Sequence, residues 1–481
     1  MTASHELISL THLAEPPRQP RRIFVNRNLR LDSLTAVGFD MDYTLARYRR
    51  ERLERLGHQL TLEKLISSRG YPDDVRALKY DPRFVIRGLV VDKELGNILK
   101  LDRHRHVGRA YHGREPLTKE RRHELYRTEK LVFGPPRFAQ VDTLFSLPEM
   151  CLYADLVDCF DRRARGSLGP WQICDDVREC IDEAHRDGTL KSIVRTSIDT
   201  YIEQDDQLAT TLHKMRSAGK RLFLLTNSFG SYTRAVMTYL LDGQLAEYSS
   251  WQSYFDVIIV GASKPGFFNG AEPFLELDED DAATDKTATH LQKGKLYQGG
   301  NRKELERMMG VSGDEVLYVG DHIYGDILRS RKASLWRTAL VVEELEEEIV
   351  HMENSDEVFR RLSELETRRR RLDEITNLQR QALSGLDKED PHYSMLREQR
   401  DHAKRERNEL NAEIEALEER VADTFNPYWG FVFKEQGELT RFGEQVAEYA
   451  CIYTSRVSNF TGYSSYQYFR SARDLMPHER E

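Results

Sequence analysis

Two aspartates one residue apart close a short apolar run, Val37-Gly38-Phe39-Asp40-Met41-Asp42, with Thr44 two positions further on. In an extended strand successive side chains point to opposite faces, so Asp40 and Asp42 share a side. Carboxylates held that close repel each other, and a divalent cation with a preference for hard oxygen ligands relieves the repulsion. Such a pair also divides two chemical roles: one carboxylate can attack phosphorus while the other moves a proton. Two plainer readings compete. Aspartates are common in turns. Asp40, Asp42, Thr44 and Glu51 also match positions 1, 3, 5 and 12 of a calcium loop, but Leu45 stands where that loop turns on glycine.

The elements that must position these residues decide between the readings. Three more apolar runs end in polar residues: Arg221 to Leu225 in Thr226-Asn227-Ser228, Phe255 to Val260 in a loop carrying Lys264, and Val316 to Val319 in Gly320-Asp321-His322 with Asp326 following. Near-continuous apolar strands are what a parallel sheet covered on both faces requires, and ligands bind beyond the carboxyl ends of such strands. Any one of these endings is an ordinary cap, turn or solvated lysine; four of them at one end of a sheet make a site. Helical spacing between them, at Leu208 to Met215 and Lys303 to Met309, predicts a doubly wound α/β fold.

The chain between Asp42 and Arg221 is far longer than a crossover needs, which predicts a cap inserted over 48–205. The catalytic core is then 31–47 plus 206–340. Residues 1–30 read as a polar arm rich in proline and arginine. Over 341–424, Leu362, Leu365, Leu372 and Leu378 space a charged helix, and Leu410, Ile414, Leu417 and Val421 alternate by four and three, with Gly385 and Pro391 between the two sets. That pattern predicts a helical hairpin with a coiled-coil seam. Residues 425–481 are rich in aromatics and are expected to pack on the core or on another subunit.

With 481 residues the chain is expected to form more than one domain. Its formal charge of −9 argues against a general nucleic-acid or membrane-surface binder. Met1 to Pro20 lacks the apolar core of a secretory signal, and no run reaches membrane-spanning length, so a cytoplasmic location is expected. The five cysteines show no metal-type spacing and are expected as free thiols.

Phosphate monoester hydrolysis needs a nucleophile, an acid/base and compensation for developing negative charge. The strand ends supply all three. For such a substrate Asp40 can attack phosphorus, Asp42 can move the proton, Thr226 and Asn227 can hydrogen-bond phosphoryl oxygens, Lys264 can bring a positive charge to them, and Asp321 and Asp326 with Asp40 can hold Mg²⁺. The set resembles the haloacid dehalogenase-like phosphohydrolase superfamily, whose core is Rossmann-like. Longer stretches narrow the resemblance: Phe39 to Ala46, Trp251 to Asp256, Tyr318 to Leu328, Gly70-Tyr71-Pro72, Arg87-Gly88-Leu89 and Leu475 to Glu479 resemble the cytosolic purine 5′-nucleotidase family, which prefers IMP and GMP. The resemblance implies Asp40 as nucleophile, Asp42 as acid/base, Asp40, Asp321 and the Asp42 carbonyl as Mg²⁺ ligands with Asp326 orienting them, and Thr226, Asn227, Ser228 and Lys264 around the phosphate.

In the cap, Arg178, Asp182 and His185 are spaced by four and three, which puts them on one face of a helix over 175–187. On spacing alone an exposed Arg178–Asp182 ion pair with a bystander histidine explains them. The resemblance instead implies that Arg178, Asp182, His185 and Lys191 surround the purine nucleotide, with Phe145 against the base. The chain departs from the family pattern at Asp142 and Ser146, where asparagines are expected, and at Arg186, where a tyrosine is. Tyr324 and Lys332 remain for a nucleotide-effector pocket. The reading is therefore a Mg²⁺-dependent hydrolase of purine nucleoside monophosphates, with phosphotransfer to nucleosides as a second activity. The resemblance further implies a homo-oligomer, a dimer or tetramer. The alternatives are a phosphatase of the same superfamily for another small ester, and a nucleotide-sensing scaffold built on the hairpin.

Overall fold

The computed structural model describes residues 17–127, 131, 136–163, 168–278, 280–328, 330, 334–435 and 437–472. A ten-stranded sheet forms the centre. From one edge its strands are Phe24–Val25, Ile452–Thr454, Arg337–Val341, Val316–Gly320, Ala36–Phe39, Arg221–Leu225, Val257–Val260, Leu296–Gly299, Phe274–Leu277 and Ala283–Thr287. The strands from Ile452–Thr454 through Leu296–Gly299 run parallel, and the outer ones join them antiparallel. Ala36–Phe39 and Val257–Val260 are buried along their whole length, because helices cover both faces. The core is a doubly wound, Rossmann-like α/β sheet.

Register sets the site. Phe39 lies opposite Leu224 on one neighbour and Val319 on the other. The residues that follow these three strands, Asp40, Thr226 and Asp321, therefore emerge together at the carboxyl edge.

The first long excursion leaves the core through Arg47–Tyr48 and returns through Ile202–Glu203, and these two short strands pair antiparallel. Between them the helices Arg50–Arg69, Leu147–Asp161 and Pro170–Arg186 pack on one another, and five strands build a separate antiparallel sheet. The helix Pro170–Arg186 buries Ile173, Val177, Ile181 and Ala184 in one stripe and turns its charged residues outward.

The C-terminal region folds back on the core. The helices Asp356–Ser384 and Pro391–Phe425 form a hairpin that buries Leu362, Leu365, Leu372, Ala403, Leu410 and Ile414 in its seam. Leu378, which the sequence spaces with Leu362, Leu365 and Leu372, is 66% exposed. A heptad counted from Leu372 reaches Gln379, whose Oε1 is buried, so Leu378 falls one position outside the stripe. Beyond the hairpin, Ile452–Thr454 inserts beside Arg337–Val341 as a core strand. Phe24–Val25 pairs with it, so this part of the N-terminal stretch is the sheet's edge and not a free arm. A partner strand more than four hundred residues away leaves no local signal at Phe24. Residues 1–16 of the arm, Lys332 and the Leu475 to Glu479 motif lie outside the described residues. All five cysteines are free. Among the described residues no helix is long and apolar enough to cross a membrane.

Candidate active site

Three carboxylates meet at the carboxyl edge of the sheet. Oxygens of Asp40, Asp321 and Asp326 all lie within 4.8 Å of one another. Asp40 follows Ala36–Phe39 and Asp321 follows Val316–Gly320. The single helical turn Ile323–Leu328 brings Asp326 back beside Asp321. Gly320 makes this closure sterically feasible: a Cβ there would sit 2.6 Å from Asp326 Oδ2. Lys264 reaches in from the loop after Val257–Val260, with its Nζ 2.9 Å from Asp40 Oδ1 and 2.7 Å from Asp326 Oδ1. It also donates to the Tyr318 hydroxyl at 2.9 Å.

One ammonium does not balance three buried carboxylates. Burial, with the charges of Asp326, Asp321 and Asp42, drives Asp40 well above the usual carboxylate range, against the pull of Lys264. Burial and Asp326 push Asp321 up to about 7. Lys264 is raised: burial disfavours its charge, but Asp326 and Asp40 outweigh that cost. A divalent cation with a preference for oxygen ligands fits both the donor set and the uncompensated charge, and Mg²⁺ is the ion of that description suited to phosphate sites.

Asp42 is held separately. The Tyr48 hydroxyl donates to Asp42 Oδ1 at 2.5 Å, and the Ser228 hydroxyl donates to Asp42 Oδ2 at 2.7 Å. Lys191 Nζ in turn donates to Ser228 Oγ at 3.0 Å, and Tyr48 meets the Tyr232 hydroxyl at 2.9 Å. The strand-end residues expected around phosphate are thus already engaged. Ser228 orients Asp42. Asn227 bridges both backbone groups of Lys264, donating through Nδ2 at 3.0 Å and accepting at Oδ1 from the Lys264 amide at 2.6 Å. The Thr226 Oγ1 accepts from the Ser228 amide at 3.0 Å.

On the cap side, Phe145 packs edge-on against His185 at 5.3 Å and against Tyr43 at 4.8 Å, and lies 6.4 Å from Tyr48. These rings join the inserted segment to the Asp42 loop. Burial, together with the charge of Lys191, lowers the His185 pKa against the opposing pull of Asp182 and Asp42. Arg178 does not pair with Asp182 on its own helix. Its Nε lies 2.9 Å from Glu149 Oε2, and Asp182 is exposed. Glu149 is pushed up to about 7 by burial, with Arg178 opposing. Tyr324 is tied to the inserted segment and to the C-terminal helix Arg441–Tyr449: its hydroxyl donates to Gln140 at 3.0 Å and accepts from Gln445 at 3.0 Å.

With this geometry in hand, comparison with known proteins decides the family. A model described as the 5′ nucleotidase family matches residues 23–481. The chain belongs to the 5′-nucleotidase family. A 5′-nucleotidase domain-containing protein of Dictyostelium discoideum is 31% identical over 487 residues, spanning 100% of this chain and 78% of that protein. The 5′-nucleotidase domain-containing protein 2 of Rattus norvegicus is 30% identical, over 98% of this chain and 83% of that protein. Among solved structures, a HAD-superfamily hydrolase of Geobacter sulfurreducens aligns with 64% of this chain and 87% of its own, at 12% identity and a TM-score of 0.26. This 5′-nucleotidase family member is accordingly a phosphoric monoester hydrolase of nucleotides.

Sequence reasoning missed Tyr48, Tyr232, Tyr318, Glu149 and Arg87. Arg87 and Tyr318 carried a signal, as parts of Arg87-Gly88-Leu89 and of Tyr318 to Leu328; elsewhere a buried tyrosine hydroxyl looks like any core tyrosine until its partner is placed. A second cluster with metal-ligand chemistry, His58, Cys151 and Asp155, lies inside the inserted segment. Arg114 Nη2 sits 3.0 Å from Cys151 Sγ and 2.8 Å from Asp155 Oδ2. The guanidinium takes the place a cation would occupy, so this cluster is structural.

Proposed function

We propose that the protein hydrolyses purine nucleoside monophosphates, IMP and GMP first, in a Mg²⁺-dependent reaction through an aspartyl phosphate on Asp40. The observation that supports this reading is the Asp40, Asp321, Asp326 and Lys264 cluster at the strand ends, with Asp42 held beside it by Ser228 and Tyr48. An Asp40 oxygen attacks phosphorus and the bond from phosphorus to the 5′ oxygen breaks. Asp42, protonated at the start of this step, gives its proton to the departing oxygen. Asp42 then takes a proton from water, the water oxygen attacks the phosphoryl group, and inorganic phosphate leaves with Asp40 regenerated. Lys264 keeps a positive charge against Asp40 and the phosphoryl oxygens throughout. Asp40, Asp321 and the Asp42 carbonyl, with Asp326 beside them, would hold Mg²⁺, which would supply charge neutralisation.

Phe145, Arg178, Asp182, His185 and Lys191 are assigned to the purine nucleotide. The ring contacts of Phe145 with His185 and Tyr43 support this, because they bring the cap aromatic and histidine next to the loop that carries Asp42. A nucleoside hydroxyl in place of water gives phosphotransfer by the same steps.

The test is phosphate release from a nucleotide panel, with and without Mg²⁺, for the wild type and Asp40→Asn. Metal-dependent release from IMP and GMP is expected, with the variant slower by ~10⁴-fold or more. Wild-type rates in the variant would remove the covalent mechanism. Release only from non-purine esters would keep Asp40 and overturn the cap assignment.

A further inference from the structure

We propose that Arg87, which the inserted segment sends into the core, is a positioning residue for the Asp321 end of the metal site. Arg87 is 1% exposed. Its Nε donates to Glu344 Oε1 at 2.7 Å and its Nη2 donates to the second Glu344 oxygen. The remaining terminal nitrogen, Nη1, donates to the backbone carbonyl of Asp321 at 3.1 Å. The Phe442 ring faces the guanidinium, 5.0 Å from its centroid. Gly88 allows that approach: its φ is +88°, and a Cβ there would stand 2.5 Å from the Phe442 Cβ.

A buried ion pair is a poor way to stabilise a core, since apolar residues of similar volume often serve as well. An apolar pair cannot donate to a carbonyl. That donation matters because of what holds the other side of the same peptide. The carbonyl of Asp321 is fixed by Arg87, and the amide of the next residue, His322, donates to Asp326 Oδ2 at 3.3 Å. A peptide unit is planar, with its C=O and N–H pointing in opposite directions. Anchoring both ends fixes the plane, and with it the direction in which the Asp321 side chain leaves the backbone. The second of these bonds ties the Asp326 carboxylate to that plane. Glu344 opens the helix Glu344–Asn354 after the strand Arg337–Val341, so the arginine is braced by the core and not by the cap alone.

This inference rests on the reading of Asp321 as a Mg²⁺ ligand, and the test separates the two. Binding of Mn²⁺ to the full chain is followed by electron paramagnetic resonance, and the Mg²⁺ dependence of IMP hydrolysis is measured beside it. Groups that orient metal ligands typically carry 10–100-fold in affinity. Arg87→Met and Arg87→Lys are therefore expected to weaken Mn²⁺ binding ~10–100-fold and to shift the Mg²⁺ requirement equally. Saturating Mg²⁺ should restore most of kcat with little change in KM. Glu344→Gln should move affinity in the same direction by less. Where Arg87→Met does not fold, Arg87→Lys and Glu344→Gln carry the comparison. A folded Arg87→Lys that binds Mn²⁺ as the wild type does would overturn the proposal, as would a kcat that saturating Mg²⁺ does not restore. Asp321→Asn with undiminished Mn²⁺ binding would instead overturn the metal-site reading beneath it.

Discussion

The Ser228 hydroxyl donates to Asp42 Oδ2 at 2.7 Å across 186 positions of sequence. The Tyr48 hydroxyl approaches Oδ1 from the cap side at 2.5 Å. One carboxylate is thereby gripped by the end of a core strand and by the start of the inserted segment. The residue assigned to proton transfer is the one whose orientation depends on both parts being in place.

Removing either grip should slow the chemistry more than it weakens binding. A hydrogen bond to a charged group contributes ~1.5–3 kcal/mol, and each ~1.4 kcal/mol is tenfold in rate. Ser228→Ala and Tyr48→Phe are each expected to lower kcat by ~10-fold or more, with a smaller change in KM. Steady-state kinetics on IMP checks this. A double variant turning over at the wild-type rate would show that Asp42 needs no positioning.

Mg²⁺ should stabilise the fold as well as activate it. Three buried carboxylates face one lysine, and a cation that binds only the folded chain shifts the unfolding equilibrium. At ~100 times its dissociation constant the gain is ~2.7 kcal/mol. Thermal melts should rise with added Mg²⁺, return with EDTA, and show no such rise in Asp321→Asn. A melting temperature indifferent to Mg²⁺ in the wild type would count against the metal site.

His58 should set an acid limit on stability. It is 1% exposed, and its Nε2 has no hydrogen-bond partner. Burial, with Arg114 adding to it, pushes its pKa down from 6.5 to about 4. The unfolded chain therefore takes up a proton first as the pH falls. The stability that His58 contributes is present above pH 6.5 and is lost between there and about 4. The loss is bounded by ~3.5 kcal/mol, at ~1.4 kcal/mol per pH unit. Urea midpoints over this range should fall less steeply in His58→Gln than in the wild type; parallel curves would exclude His58 as the source.

Much of the site was legible because the fold constrains composition. Strands covered on both faces must be apolar, so a polar residue at the carboxyl end of each stands out, and Asp40, Thr226, Lys264 and Asp321 were found that way. Heptad spacing located the hairpin seam through Leu362, Leu365, Leu410 and Ile414 for a similar reason: periodicity is a local property. It failed at Leu378, where a leucine one position off the stripe is indistinguishable from one on it until the register is known.

The order of residues along the chain determined which chemical groups the strand ends present: two aspartates, a threonine, a lysine and two more aspartates. It also determined that a long segment interrupts the core. Tertiary structure alone decided how those groups are used. Ser228 reached Asp42, Asn227 closed on the Lys264 backbone, Arg178 left Asp182 for Glu149, and Arg87 reached the Asp321 carbonyl. Each of these depends on partners far apart in sequence. Hydrogen bonds and ion pairs act over about 3 Å, and neighbours at that range are set by packing rather than by position in the chain.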